Sequence, residues 1–323
     1  MAATSSDTTA WPRSVAVIGV GTMGLGVVEY FIEQGISVHM IDATPEQSAA
    51  APARLMQRVQ GHVDAGLLPP EVLERAAQVQ VSEDIASAVA GVDLVFEAVF
   101  ERIEVKDDVL HQICAAARED AIIATNTSSL PIDELAVFVT HPERFLGMHW
   151  FNPPEWTPGI EIIPGRATAP AVVASVMAFL ERIGKHPTVV ASSPGFIGNR
   201  LQFALLREAI ACVAEGLASP EEVDQVVRSC FGFRLPFYGP FRIADMAGLD
   251  VYANVFTVLE RGLGPDFHIP PMLEQMVAQG RIGTKGGQGF YAYTDDERAC
   301  LLIERDSRYA RLNQLLDDDT GEN

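Results

Sequence analysis

Cysteine, cations and long apolar runs are all scarce in this chain. Its four cysteines, Cys114, Cys212, Cys230 and Cys300, lie far apart in 323 residues, with no CxxC pair. That excludes a disulfide framework and a thiolate zinc site, so no metal is expected, and it points to reduced thiols in a cytoplasmic protein. No apolar stretch is long enough for a transmembrane helix. The N-terminal MAATSSDTTAWPRS lacks the basic start and apolar centre of a secretory signal, so residues 1–14 are expected to form a flexible polar leader. Lysine and arginine together number 23 against 43 acids, a formal net charge of −20. So acidic a surface repels nucleic acid and anionic membranes, and neither is expected as a partner.

What is present is an ordinary globular balance, 48% hydrophobic and 20% charged, long enough for two domains. Near its start the chain reads VAVIGVGTMGLGVVEYFIEQGISVHMID, from Val15 to Asp42. An apolar run, Val15–Ile18, meets a glycine turn; an amphipathic stretch follows to Gln34; Gly35 ends it; and Ser37–Ile41 is a second apolar run. This is the order strand, turn, helix, strand, acid. Gly19 suits a tight turn, Gly21 lets a pyrophosphate approach the backbone, and Gly24 lets helix and strand pack closely. Thr22 and Met23 open a helix whose free N–H groups and positive dipole end favour phosphate. Asp42 follows Gly24 by 18 residues, where a carboxylate accepts hydrogen bonds from a ribose 2′-hydroxyl and repels a 2′-phosphate. No arginine occurs in the Ala43-Thr44-Pro45 that follows, so the expected cofactor is NAD rather than NADP.

Further apolar runs alternate with helical material: Val79–Val81, Asp93–Val99, Ala121–Ala124, Phe145–Trp150, Gly159–Ile163 and Pro187–Ala191. The alternation predicts an α/β fold, a doubly wound Rossmann-type sheet. Gln47–Val59, with Pro52 marking its helix start, and Pro70–Gln78 are expected to form a helical hairpin beside the cofactor. After Ala191 the pattern turns helical, over Phe196–Glu215, Glu221–Phe231, Ile243–Glu260 and Pro271–Gln279, with a charged helix from Glu297 and a frayed acidic end at Asp317–Asp319. The expected division is an NAD-binding domain over 15–193 and a mostly helical domain over 194–323.

Polar groups collect where strands end. ATNTSSLPI places Asn126, Thr127 and Ser128 after the fifth strand; GMHWFNPPEWTPGIEII places His149 at a strand end and Glu161 in the next strand. If the intervening turn is a hairpin centred near Glu155, His149 and Glu161 are cross-strand partners. A carboxylate fixes the tautomer of such a histidine and leaves the other ring nitrogen to exchange a proton with a substrate hydroxyl. SPGFIGNR brings Asn199 to the same crevice. His39, His62, His111, His141, His186 and His268 show no comparable setting and are expected to be ordinary polar residues. In FEAVFERIEVK, beyond the fourth strand, Glu101 and Lys106 are candidate cofactor contacts. Trp150 and Trp156, flanking the His149 loop, are candidates for packing or for shaping a substrate pocket.

With these motifs the chain resembles the 3-hydroxyacyl-CoA dehydrogenase family from Val15 to about Tyr293: GVGTMG, Glu97-x₃-Glu101-x₄-Lys106, NTSSL, GMHWFNPP, GKHP, SPGFIGNR, GPFRIADMAGLD and KGGQGFYAY. The resemblance implies an NAD-dependent alcohol oxidation, with His149 as general base, Glu161 orienting it, and Ser128 and Asn199 holding the substrate oxygen. It also implies a homodimer joined through the helical domain and, for acyl-CoA substrates, a place in fatty-acid metabolism. Members acting on acyl-CoA usually carry basic residues in the hairpin after the second strand, where the CoA phosphates lie. Here Gln47–Gln60 offers only Arg54 and Arg58. Trp150 replaces the usual phenylalanine, and Pro154-Glu155-Trp156 is bulkier and more acidic than the common form. The loop looks more like that of relatives that oxidise non-CoA substrates such as carnitine, gulonate or pyridine-ring aldehydes. The expected small-molecule substrate is thus an L-3-hydroxyacyl-CoA or a 3-hydroxy acid. The alternatives are a non-CoA alcohol or ring-bearing aldehyde and, in another class, a crystallin-like protein that binds NAD without catalysis.

Overall fold

The computed structural model describes residues 12–320, so most of the expected leader and the last three residues lie outside it, as do the side chains of Asp317–Asp319. The eight apolar runs form one sheet: β1 Ser14–Ile18, β2 Ser37–Ile41, β3 Gln80–Val81, β4 Leu94–Glu97, β5 Ile122–Thr125, β6 Phe145–Trp150, β7 Gly159–Pro164 and β8 His186–Val189. Its order is β3-β2-β1-β4-β5-β6-β7-β8, and every neighbouring pair is parallel except β6 with β7. Strands β4, β5 and β6 are buried along their whole length, so they read as continuous apolar runs rather than alternating ones. Successive strands leave β1 in opposite directions, toward β2 and toward β4. Outside the C-terminal ends at that switch lies the crevice in which such sheets bind ligands.

Both faces are covered by helices: α1 Thr22–Glu33, α2 Pro45–Asp64, α3 Glu71–Ala77, α4 Ile85–Val89, α5 Ile103–Ala116, α6 Ile132–Leu135 and α7 Pro170–Arg182. Phe31, Leu55, Val72 and Phe179, from α1, α2, α3 and α7, enclose one core with the sheet. Val89, Leu110, Ile113 and Leu135, from α4, α5 and α6, enclose the other. The expected start of α2 at Pro52 is corrected by the structure. The helix begins at Pro45, because Thr44 caps it by accepting from the Gln47 N–H at 3.2 Å and proline suits the first helical position. Pro52 lies inside the helix, where the complete burial of Ala51, Leu55 and Val59 holds the segment on the core despite the lost backbone hydrogen bond.

The chain folds as two compact units, one ending at Leu205 and one beginning at Leu206, and α8 Gly198–Ala214 runs through that division. The second unit holds α9 Pro220–Ser229, α10 Pro240–Ala247, α11 Leu249–Leu263, α12 Pro271–Ala278 and α13 Asp295–Thr320. The helix expected over Ile243–Glu260 is two helices, broken at Gly248, whose φ of 103° lies in the region that favours glycine. The fully buried Asp245 of α10 accepts from the backbone N–H of Phe290 and Tyr291, each at 3.0 Å, and from the Tyr293 hydroxyl at 2.8 Å. That carboxylate ties the GGQGFYAY stretch to the helix. Among the described residues no helix is long and apolar enough to cross a membrane.

Candidate active site

The antiparallel register of β6 and β7 sets His149 directly opposite Glu161. His149 Nδ1 lies 2.8 Å from Glu161 Oε2, and both side chains are buried. The other carboxylate oxygen accepts from the backbone N–H groups of Ile197 at 3.0 Å and Gly198 at 2.9 Å. Glu161 thereby joins the histidine to the first turn of α8. The approach is close: a Cβ on Gly198 would meet Phe151 Cζ at 2.4 Å. Phe196, almost fully buried, is held at φ 49°, a left-handed conformation that costs a non-glycine residue about 1–3 kcal/mol. The spacing of the two motifs in sequence gives no sign of this link, since it runs through backbone groups.

The Nδ1 proton goes to Glu161, so Nε2 keeps its lone pair, and the Ser128 hydroxyl donates to it across 3.2 Å. Asn199 Nδ2 donates to the Ser128 carbonyl at 3.3 Å, which brings the fourth predicted residue to the same place and leaves its second amide hydrogen unused. The Ser128 loop rests on Glu101. One carboxylate oxygen accepts from Thr127 Oγ1 at 2.6 Å, from the Ser128 and Ser129 N–H groups at 2.8 and 2.9 Å, and from Ser129 Oγ at 3.0 Å. Burial pushes the Glu101 carboxyl up, but the Thr127 hydrogen bond, the Lys106 charge and the loop N–H groups outweigh it and hold the carboxyl below its usual range.

Lys106, expected as a cofactor contact, is fully buried. Its ammonium sits 2.8 Å from Glu97 Oε1 and 3.6 Å from Glu101 Oε2, so it braces the carboxylates under the Ser128 loop. Asn126 Oδ1 accepts from the Trp150 N–H at 3.0 Å and fastens the end of β6. Trp150 itself is core: it packs edge-on against Tyr30, Phe31 and Phe96 and is 2% exposed, which removes it from the pocket-shaping candidates.

The β1–β4 crevice fits a dinucleotide. A Cβ on Gly19 would strike the Ala98 carbonyl oxygen at 2.7 Å, and one on Gly24 would strike the Gly19 oxygen at 2.0 Å, whereas Gly21 faces open space. No side chain caps α1, so the first N–H groups at Thr22, Met23 and Gly24 are free to meet an anion. Beside them a cavity of about 300 Å³ is lined by Gly19, Asp42, Glu83, Val99, Phe100 and Gln112, large enough for an adenosine end. Asp42 receives the Ala43 N–H at 2.9 Å and Arg54 at 3.1 Å.

His62, expected to be an ordinary polar residue, is satisfied within a clasp of ion pairs. His62 Nδ1 pairs with Glu29 of α1, which also holds Arg58; Arg58 in turn holds Glu155 of the β6–β7 loop. Trp156 of that loop stacks edge-on against the His62 ring at 5.4 Å.

A buried histidine–glutamate pair across two neighbouring strands, in the same unit as a glycine-built dinucleotide crevice, defines an NAD-dependent oxidoreductase acting on CH–OH groups. Residues 14–193 match the family described as 3-hydroxyacyl-CoA dehydrogenase, NAD binding domain, and residues 195–293 match the 3-hydroxyacyl-CoA dehydrogenase C-terminal domain. The chain belongs to the 3-hydroxyacyl-CoA dehydrogenase family. It is 37% identical to the 5-formyl-3-hydroxy-2-methylpyridine 4-carboxylate 5-dehydrogenase of Mesorhizobium japonicum, over 94% of this chain and 98% of that one. It is 35% identical to a probable 3-hydroxybutyryl-CoA dehydrogenase of Bacillus subtilis, over 88% of this chain and 98% of that one. Among solved structures, the 3-hydroxyacyl-CoA dehydrogenase of Archaeoglobus fulgidus superposes with a TM-score of 0.76 at 31% identity, covering 94% of this chain and 99% of that one.

Proposed function

We propose that His149 is the general base of a secondary-alcohol oxidation, with Glu161 fixing its tautomer and Ser128 and Asn199 holding the reacting oxygen. The observation that carries this reading is the unbroken chain from Ser128 Oγ through the His149 ring to Glu161 and the α8 backbone. Bound in the β1–β4 crevice, NAD would supply the hydride acceptor for the carbinol carbon. His149 Nε2 takes the hydroxyl proton, and the carboxylate of Glu161 steadies the imidazolium so formed. Ser128 Oγ and the spare Asn199 N–H donate to the oxygen as negative charge gathers there. Gly19, Gly21, Thr22, Met23 and Gly24 would receive the pyrophosphate and Asp42 the ribose, while Glu101, braced by Lys106, and Asn126 would shape the nicotinamide end.

The reading extends to organisation. Residues 15–193 form the cofactor domain and residues 194–323 a helical domain through which two copies pair. Exposed Val226, Val251, Val255, Val258 and Leu263 on the helices of the second unit support pairing, which sedentation of the purified chain as a dimer or a monomer by analytical ultracentrifugation tests. Four unpaired cysteines support a reducing compartment such as the cytoplasm. The catalytic assignment is tested by NADH formation with L-3-hydroxybutyrate and with its CoA thioester. On whichever is oxidised, His149→Gln is expected to lower kcat about 10³-fold; an unchanged kcat sinks the assignment.

A further inference from the structure

The relatives described above divide between CoA thioesters and a pyridine compound, and the positions of the cations in the first unit bear on that division. CoA brings a diphosphate and a 3′-phosphate, about four negative charges near neutral pH, and phosphate recognition needs free guanidinium or ammonium groups. Helices α2 and α3 carry three arginines, no lysine and four acids, Glu46, Asp64, Glu71 and Glu74. All three arginines are committed within the protein. Arg54 is on Asp42 at 3.1 Å. Arg75 Nη1 donates to the carbonyls of Ile32 at 3.2 Å and Glu33 at 2.6 Å. Arg58 bridges Glu29 and Glu155.

Arg58 cannot turn to a phosphate without loss. Glu29 is 1% exposed and Glu155 8% exposed, so its departure would strand two carboxylates in a poorly hydrated place. The loop that follows His149 is also fastened shut over α1. Lys185 Nζ donates to the Pro154 carbonyl at 2.7 Å and the Thr157 carbonyl at 2.8 Å and lies over the Tyr30 ring at 3.7 Å. Pro154 and Glu155 press so closely on Gly26 that a Cβ there would come within 2.6 Å of each. The two cations that touch this loop, Arg58 and Lys185, are therefore both spent on holding it. The other two lysines are spent as well, Lys106 on Glu97 and Lys285 on Asp250.

We propose that Glu155 is a specificity-determining residue: by holding Arg58 it denies the phosphates of CoA a partner, and the substrate is a small alcohol or carbonyl compound that carries no CoA. This rests on the dehydrogenase reading above, and the two can fail separately.

The test is calorimetry on the purified full chain, first with NADH, then with acetoacetyl-CoA and with free CoA added to the NADH-saturated protein. NADH is expected to bind in the micromolar range, and neither thioester nor CoA to bind below about 1 mM. Glu155→Gln, which releases one side of Arg58, is expected to gain at least about tenfold in acetoacetyl-CoA affinity, with the gain weakening as salt rises. Micromolar binding of acetoacetyl-CoA by the wild type overturns the substrate class. A Glu155→Gln protein that binds NADH normally but gains nothing overturns the role of Glu155. Failure of the wild type to bind NADH overturns the dehydrogenase reading itself, and the proposal with it.

Discussion

Two histidine–glutamate pairs with a buried carboxylate sit in the same unit of this molecule, His149 with Glu161 and His62 with Glu29, and their surroundings separate them. In both, Nδ1 meets a carboxylate that is itself buried. The second oxygen of Glu161 is occupied by backbone N–H groups, which carry no net charge, whereas Glu29 is shared with the guanidinium of Arg58. The far side of the His149 ring meets a serine hydroxyl in the loop that Glu101 holds; the His62 ring meets the edge-on ring of Trp156. A histidine beside a carboxylate becomes an acid–base unit only when its other nitrogen faces a place where a reacting oxygen fits. The same two residue types otherwise make a clasp.

The sharpest way to break this comparison is to remove each imidazole in turn. His149→Gln is expected to lower kcat about 10³-fold, while His62→Gln leaves kcat within about threefold, both read from steady-state NADH formation. Equal losses would show that the two pairs are not functionally distinct. Glu161→Gln is expected to cost about 10²-fold in kcat, because an amide that donates toward Nδ1 disturbs the tautomer with Nε2 unprotonated; a changed pH profile of kcat distinguishes this from simple unfolding. A third ion pair, Asp42 with Arg54, sharpens the contrast between clasp and site. Asp42→Ser is expected to weaken NAD about tenfold and to free Arg54 for a 2′-phosphate, so the ratio of kcat/KM for NADP to that for NAD rises.

Smaller effects are expected on the clasp side, and on stability rather than rate. Glu29→Gln strips Arg58 and His62 of their shared carboxylate; both partners are partly hydrated, so about 2 kcal/mol of stability and a lower melting temperature are expected with kcat kept. The smallest effect is the pH response of Lys185. Burial pushes its ammonium down to about 8, against the attraction of Glu155 and Glu33. Between about pH 8 and the ordinary lysine range the unfolded chain holds a proton that the folded chain has released, so this group's contribution makes stability rise with pH. Urea midpoints at pH 7.5 and 9.5 should show a rise that Lys185→Met lacks. Tyr30, its phenol pushed up to about 12 by burial and by Glu33, acts in the opposite sense, but only at the upper end of that window, where the unfolded phenol begins to release its proton.

Much of this molecule was legible before any coordinates. All eight strands coincide with apolar runs within about three residues, most plainly β4, β5 and β6, because a strand buried on both faces must be apolar throughout. The His149–Glu161 pairing follows from a hairpin centred near Glu155, since pairing across an antiparallel turn is arithmetic. The start of α2 and the break at Gly248 were not legible. Thr44 and Pro45 carried a cap signal that the stronger helix-breaking reputation of Pro52 concealed, and a glycine within a helical pattern does not announce a positive φ. The position of Lys106 beyond β4 sets it near where a nicotinamide would lie; only packing shows that its ammonium is buried against Glu97.

The amino-acid sequence by itself determined the order of strands and helices, the glycine crevice with its acid, and the cross-strand pairing of His149 with Glu161. Those properties depend on local pattern and on register, which are set by neighbours along the chain. Only the tertiary structure decided which histidine is free to react, which cations are already spent, and what Glu161 and Glu155 each hold. Those depend on partners brought together by folding, as in Glu29 with Arg58, 29 positions apart, and Arg58 with Glu155, 97 apart, and burial and charge settle them only once the chain has closed.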